Sequence, residues 1–271
     1  MKNKISNIIL SIIFITGLGI LAYPTVSDFY NAMNQSRAVS NYTQQVANMD
    51  KKESIEMLKA AKKYNKKLAT RPVTSFVLSK DELVEYNSLI NATEIMSYIE
   101  IPAIHCTLPV YHGVEEEVLN VGVGHIAGSS LPVGGKSTHC VLSGHRGLPS
   151  AKLFTDLDKV VEGDFFLLQT LQETLTYKVD QIRIVEPDEL SNLEIVQGKD
   201  YCTLVTCTPY GVNTHRLLVR GERVDNMKDD LLVTAGATQI KPMIVAPYAA
   251  IPIFLIMLVW VFSVPVKKER R

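Results

Sequence analysis

"TLVTCTPYGVNTHRLLVRGER", residues Thr203–Arg223, contains two strand-like runs joined by a short polar segment. Alternation along the first run places Val205 and Cys207 on one face and Cys202 on the other. Cys207 ends this run, and Arg216 begins the next one. Because the short loop returns the chain beside itself, we expect the guanidinium to lie alongside the thiol. A cation in that position favours the thiolate and can donate to an oxyanion.

Period-two alternation recurs through most of the second half of the chain. It appears in "SYIEIPAIHCTLPVYHG", "STHCVLSGH", "DFFLLQT", "LTYKVDQIRIV" and "YCTLVTC", with Gly, Pro or Asp between most of these runs. Six or more such strands with turn signals predict a mainly β domain that is a closed barrel or a sandwich. One short helix is predicted at about residues 150–160, where Leu153, Phe154 and Leu157 form an apolar face.

The segment before these strands has helical periodicity. Two amphipathic helices are predicted between residues 26 and 68, and their apolar positions are Val39, Tyr42, Val46 and Met49 in the first and Ile55, Leu58, Ala61 and Tyr64 in the second. Residues 69–93 are weakly patterned and contain Arg71-Pro72. That stretch is predicted to be a connector or loop.

Long apolar runs lie near both ends of the chain. Residues 8–22 follow two lysines, and residues 243–264 contain no charge and precede a basic tail. About 20 apolar residues cross a bilayer, so the second run predicts a transmembrane helix. The first run is interpreted as an uncleaved anchor, with a cleaved signal peptide as the alternative. The basic outer flanks predict cytoplasmic termini and an extracellular central region.

Charge and cysteine spacing exclude several functions. The chain has 28 basic and 28 acidic residues, and the terminal basic clusters leave its middle net acidic, which argues against a nucleic-acid partner. His105-Cys106 and His139-Cys140 are adjacent pairs whose side chains point to opposite strand faces. No metal site and no cofactor are therefore expected.

A nucleophilic cysteine needs a proton-transfer partner. Six histidines are candidates, and His145 is preferred because "CVLSGHRG" ends an apolar strand with glycines on both sides of the imidazole. His215 is the second candidate, although its side chain would point away from Arg216 on a regular strand.

These motifs together resemble the sortases, the membrane-bound cysteine transpeptidases of Gram-positive bacteria, and in particular their class C, pilus-building branch. The similarity spans residues 96–224 and rests on "TLVTC", "TPYGVNTHRLLVRGER" and "SGHRGLPSAKLFTDLDKVVEGDFF", with "PVYHG" and "SLPVGG". It implies a closed sortase-type β-barrel of about eight strands, with an N-terminal helical segment and a transmembrane helix at each end.

The resemblance also implies roles for individual residues. Cys207 would be the nucleophile, His145 the general acid/base, and Arg216 the group that stabilises the substrate carbonyl and its oxyanion. Thr206, Ser143 and Gly144 would line the substrate site. The enzyme would cleave a Leu-Pro-x-Thr-Gly-like sorting signal through a thioester and pass the acyl group to a pilin lysine. Its partners would be pilin subunits or surface proteins with that signal, and the lipid bilayer.

Two further expectations concern a missing lid motif and the cysteines that have no catalytic role. Class C enzymes often have an Asp-Pro-aromatic lid motif, which "ATRPVTSFVLSKDELVEYNS" lacks, so the resemblance does not extend to closure by that anchor. Cys140 and Cys202 would be neighbours if their strands are adjacent and parallel, as the resemblance suggests. Buried thiols are commonly reduced, so two core thiols are favoured over a disulfide.

The predicted domain organisation has six parts, and two other functions stay open. A housekeeping sortase that attaches proteins to cell-wall peptide amines would use the same residues, and a non-catalytic membrane-anchored assembly or adhesion module is an alternative of a different class. The parts are an N-terminal anchor at 1–23, a helical segment and lid-like linker at 24–93, the catalytic barrel at 94–226, a linker at 227–242, a transmembrane helix at 243–264 and a basic tail at 265–271.

Overall fold

The computed structural model describes residues 2–71 and 76–226. Residues from Ser27 to the last described position form one compact unit. The predicted linker at 227–242, the apolar run at 243–264 and the basic tail lie outside the described residues.

Three longer helices precede the barrel: α1 (Lys2–Asn48), α2 (Lys51–Ala69) and α3 (Lys80–Ser88). The apolar run and the first predicted amphipathic helix are one continuous helix, α1, with Pro24 inside it. An apolar window of this helix has a mean hydropathy of 2.3 and no buried residues, so α1 is long and apolar enough to cross a membrane. Asp50 separates α1 from α2 because its carboxylate accepts hydrogen bonds from the first backbone amides of α2.

Two predictions of local structure were wrong. Residues 69–93 are not wholly a connector, because α3 lies within them. Its start is fixed by a capping box in which Ser79 and Glu82 bond each other's backbone amides, and "SKDE" has the spacing that would have revealed it. The helix predicted at 150–160 is only a short 3₁₀ helix at Leu157–Lys159 after a series of turns. Leu153, Phe154 and Leu157 are nevertheless buried, since the loop itself packs on the barrel.

Eight strands close into a barrel in the order β1-β2-β3-β4-β7-β8-β6-β5, which confirms the predicted mainly β fold. Their bounds are β1 Ser97–Ile101, β2 Cys106–His112, β3 Val123–His125, β4 Thr138–Ser143, β5 Phe165–Thr170, β6 Glu173–Val185, β7 Asp200–Thr208 and β8 His215–Val224. β2 pairs with β3 and β4 pairs with β7 in parallel, and the remaining neighbours are antiparallel. The smaller elements are α4 (Glu116–Leu119) and 3₁₀ helices at Pro102–Ile104 and Ser191–Leu193.

Alternating residues of each strand fill the barrel. On β4, β7 and β8 the inward side chains include Cys140, Leu142, Cys202, Leu204 and Val219, which all belong to the main apolar core. The outward positions of the same three strands form a second, smaller cluster, made of Val141, Val205 and Leu218 together with Leu193. The strands that end at the site are therefore apolar on both faces.

Polar contacts as well as apolar packing fix the helices to the barrel. The Tyr42 hydroxyl of α1 donates to the Met96 carbonyl at 3.2 Å and accepts from the Leu171 amide at 2.6 Å. Burial raises the pKa of Tyr42, so the hydroxyl stays protonated and able to donate. On α2, Asn65 both donates to and accepts from the backbone of Leu131. Because these groups are buried, each bond also satisfies a backbone atom that has lost its water.

Candidate active site

Cys207 and Arg216 are directly opposite each other on β7 and β8. The antiparallel register pairs Thr206 with Leu217 and Cys207 with Arg216. Both members of the second pair are partly exposed. The alternation read from the sequence places them on the outer face of the barrel, because Leu217 and Leu204 face inward.

His145 reaches the same end of the barrel from β4. The parallel register pairs Ser143 with Val205, and the Gly144 amide continues it by donating to the Val205 carbonyl at 3.0 Å. The Thr206 hydroxyl then donates to the Gly144 carbonyl at 2.7 Å. His145 directly follows Gly144, and Cys207 directly follows Thr206. His145 is also partly exposed.

Close packing explains the glycine before His145. A Cβ atom at Gly144 would lie 2.7 Å from the Phe154 ring, which is nearer than side chains tolerate. The Phe154 amide in turn donates to the His145 carbonyl at 3.1 Å. The loop after β4 therefore folds back and packs against the backbone of Gly144 and His145.

The Arg216 guanidinium is held by backbone carbonyls. Its Nη1 donates to Asn213 at 3.3 Å and to His215 at 3.1 Å. None of the ion pairs within residues 2–71 and 76–226 involves this arginine. Its positive charge is therefore available to a carbonyl oxygen that becomes negative beside Cys207.

The three residues expected to line the substrate site are at the same end of the barrel. Gly144 and Thr206 are buried and bonded to each other, while Ser143 is partly exposed at the end of β4. The Thr206 hydroxyl is thus used in joining β4 to β7.

An aromatic side chain from the segment before α3 reaches the outer apolar cluster. Phe76 is partly buried against the cluster formed by Val141, Val205 and Leu218. The Asp-Pro-aromatic motif is absent from this segment, but an aromatic ring from it still contacts the outer surface of β4, β7 and β8.

Four of the other five histidines have side-chain partners elsewhere in the fold. His139 is buried between the Glu194 carbonyl and the Thr203 hydroxyl, at 2.8 and 2.7 Å, and burial lowers its pKa to about 4. His125 bonds Tyr86 at 2.9 Å within the core. His215 lies 3.2 Å from a carboxylate oxygen of Glu186. His112 donates through Nε2 to the Leu89 carbonyl at 2.8 Å, and burial lowers the pKa of this imidazole.

The inner thiols are adjacent, as their spacing and the expected strand order predicted. Cys140 and Cys202 are register partners on the parallel pair of β4 and β7, and both are buried and unbridged. Burial raises the pKa of the Cys202 thiol well above its usual range. Within the described residues, no group of three or more His, Cys, Asp or Glu side chains is placed to hold a metal ion.

Sequence reasoning missed the residues that hold the loop after His145. Asn31 of α1 donates to the Ser150 carbonyl at 2.8 Å, and Asp28 accepts from the Lys152 amide at 2.7 Å. These pairs are more than a hundred positions apart in the chain, so no local pattern could have identified them. Arg146 pairs with Asp158 and donates to Thr208, and its place beside His145 in "SGHRG" was the available signal.

Known proteins share this arrangement of strands. The sortase domain model matches residues 99–224. The structure is similar to sortase C1 of Streptococcus agalactiae, with a TM-score of 0.68 and 53% identity over 70% of this chain and 100% of that one. Sortase C of Streptococcus pneumoniae gives a TM-score of 0.65 and 42% identity over 71% of this chain and 98% of that one.

A sequence relative matches a larger share of the chain. Sortase A of Bacillus anthracis is 26% identical over 225 residues, which cover 82% of this chain and 96% of the relative. With 53% identity across the whole of a solved sortase C1, the chain belongs to the sortase family of cysteine transpeptidases, and its structural neighbours are class C sortases.

Proposed function

We propose that this chain polymerises pilins. It would cleave a Leu-Pro-x-Thr-Gly-like sorting signal between Thr and Gly and join the threonine carbonyl to a lysine amine of another pilin. The observation that carries the chemistry is the register, which puts Cys207 opposite Arg216 while the parallel β4 delivers His145 to the same end. The pilin assignment is supported by the class C neighbours, one of which, sortase C of Streptococcus pneumoniae, is described in connection with pilin substrate specificity.

The first half of the reaction forms a thioester. The Cys207 thiol passes its proton to His145 as the sulfur attacks the threonine carbonyl carbon, and the resulting oxyanion lies against the Arg216 guanidinium. When the carbon–nitrogen bond breaks, His145 gives a proton to the departing glycine amine. The acyl group is then held on sulfur, and the C-terminal piece of the signal leaves.

The second half transfers the acyl group. A neutral lysine amine attacks the thioester carbon, and His145 accepts the proton that the amine loses. The carbon–sulfur bond breaks, His145 returns this proton to the sulfur, and the free thiol and an isopeptide bond remain. Arg216 stabilises the oxyanion in both halves, because both pass through a tetrahedral intermediate at the same carbonyl.

The proposal also includes the residues of the substrate groove and the membrane topology. Ser143, Gly144 and Thr206 would form the wall of the substrate groove, with Thr206 acting through its bond to Gly144. The first part of α1 would anchor the enzyme, as sortases are anchored in Gram-positive membranes, with both termini cytoplasmic and the barrel outside. Labelling of single cysteines at Lys2 and Arg271 from outside intact cells should fail, and labelling of either would contradict this topology.

The test uses the full-length protein in detergent with a sorting-signal peptide. Intact mass spectrometry should find the acyl fragment attached at Cys207, and Cys207→Ala should carry none. A lysine-containing pilin segment should then release the adduct as an isopeptide. Release only by a cell-wall peptide amine would instead identify a housekeeping sortase, and absence of any adduct would contradict the proposed substrate.

A further inference from the structure

Arg146 is an unusually buried cation next to the site. Its side chain is 8% exposed, and its Nη2 pairs with the half-exposed carboxylate of Asp158. Its Nε is buried and has no hydrogen-bond partner among the described residues. A buried guanidinium with an unsatisfied N–H is costly, so its retention calls for a specific reason.

The contacts of Arg146 suggest that reason. Its Nη1 donates to the hydroxyl of Thr208 at 3.1 Å. Arg146 directly follows His145, and Thr208 directly follows Cys207. The residues directly before the histidine and the cysteine are also bonded, because the Thr206 hydroxyl donates to the Gly144 carbonyl at 2.7 Å. Two bonds between the same segments therefore bracket the imidazole and the thiol, one before them and one after them.

The loop geometry around this arginine is also constrained. The guanidinium carbon lies 6.0 Å from the centre of the Tyr210 ring, in the loop after Cys207. Gly147 has φ +79°, and a Cβ there would lie 3.2 Å from the same ring. Both active-site loops thus converge on Arg146, whose Nη2 pairs with Asp158 while its Nη1 bonds Thr208.

We propose that Arg146 is a positioning residue that sets the distance and orientation of the His145 imidazole relative to the Cys207 sulfur. It acts by tying the residue after His145 to the residue after Cys207, beyond the last backbone bond between β4 and β7. This inference rests on the proposed roles of His145 and Cys207. It adds a fourth residue that the site needs besides the three proposed catalytic residues.

The experiment measures the rate of Cys207 alkylation by iodoacetamide against pH, in full-length protein, with the Cys207 peptide quantified by mass spectrometry. Arg146→Gln should raise the midpoint of this profile by about one pH unit, because an imidazole displaced from the sulfur no longer assists loss of the thiol proton. In a His145→Ala background the same substitution should leave the midpoint unchanged. Equal shifts in both backgrounds, or no shift in either, would overturn the proposal.

Two further variants separate the effect of the Arg146–Thr208 hydrogen bond, called the bridge here, from the effect of the positive charge. Arg146→Lys keeps the charge but lacks the planar fork that reaches Thr208 and Asp158 together, so it should shift the profile nearly as far as Arg146→Gln. A wild-type profile for Arg146→Lys would attribute the effect to charge alone and contradict the proposal. Thr208→Val removes the bridge while leaving the ion pair with Asp158, and it should give a smaller shift in the same direction.

The control is Arg220→Gln, which breaks an ion pair with Asp180 elsewhere on the barrel. It should leave the profile unchanged, whereas a comparable shift would show that any lost ion pair suffices. No sorting-signal peptide is used, so failure of the proposed substrate would appear in the adduct experiment and not in this one.

Discussion

Strand β7 carries two cysteines five residues apart, and they have opposite environments. Cys202 faces the barrel interior, where it is fully buried beside Cys140, and burial raises its pKa. Cys207 faces outward at the end of the same strand, partly exposed and opposite Arg216. The comparison shows that strand parity decides which thiol can act as a nucleophile, because an odd spacing places the two on different faces.

The largest expected contrast is between the alanine variants of these two cysteines. Cys207→Ala should abolish the acyl adduct, because no other group at this end of β7 can form the thioester. Cys202→Ala should keep adduct formation within a few-fold of wild type and cost only ~1 kcal/mol of stability, since a small buried group is lost. The measurement is the initial rate of adduct formation by mass spectrometry. An inactive but folded Cys202→Ala protein would contradict the assignment of Cys202 to the core alone.

The second contrast uses two arginines on the outer face of β8. Among the described residues, Arg216 has only backbone partners, whereas Arg220 is paired with Asp180 and its guanidinium carbon lies 4.2 Å from the centre of the Tyr201 ring. Arg216→Ala should slow thioester formation by on the order of a hundredfold, as loss of an oxyanion donor does. Arg220→Ala should affect stability more than rate. Similar rate losses in both variants would show that Arg216 has no special role in the chemistry.

The smallest expected effect is a pH dependence of stability that comes from His139, a buried residue on β4. His139 bonds Thr203, and burial lowers its pKa from an ordinary 6.5 to about 4. Between pH 4 and pH 6.5, His139 is therefore protonated in the unfolded chain and neutral in the folded chain. The stability that depends on neutral His139 is fully present above about pH 6.5 and is lost as the pH falls toward 4, at up to ~1.4 kcal/mol per pH unit.

The check is urea unfolding of full-length protein at pH 7 and pH 5, in wild type and in His139→Gln. The variant should lose less stability between these two pH values than wild type does. Because His112 and other groups titrate in both proteins, only the difference between the two slopes reports on His139. Identical slopes would mean that His139 is not the group responsible.

The strand pattern of this chain was predictable because alternation is a local property. The period of two in "YCTLVTC" and "THRLLVRGER" was enough to expect Cys207 and Arg216 alongside each other, and the structure pairs them in register. The same holds for Cys140 and Cys202 once β4 and β7 are taken as parallel neighbours. Their membership of one barrel came from the family resemblance, since alternation alone allowed a sandwich.

Local reasoning failed where structure depends on distant contacts. The loop at 150–160 has an apolar spacing that fits a helix, yet α1 residues Asp28 and Asn31 bond its backbone at Lys152 and Ser150 and hold it in turns. The bridge from Arg146 to Thr208 likewise joins positions separated by 62 residues. In contrast, α3 was missed although its Ser79–Glu82 capping box is visible in the sequence.

The parallel pairing of β4 with β7 has a consequence for how the enzyme matures. The β7–β8 hairpin is local, so Cys207 and Arg216 can meet early in folding, whereas Gly144 and Thr206 are 62 positions apart and meet only after a large loop has closed. Until then, the thiol has no imidazole beside it. A newly exported chain therefore lacks a general acid/base beside its thiol, and catalytic competence is acquired only once β4 and β7 have paired.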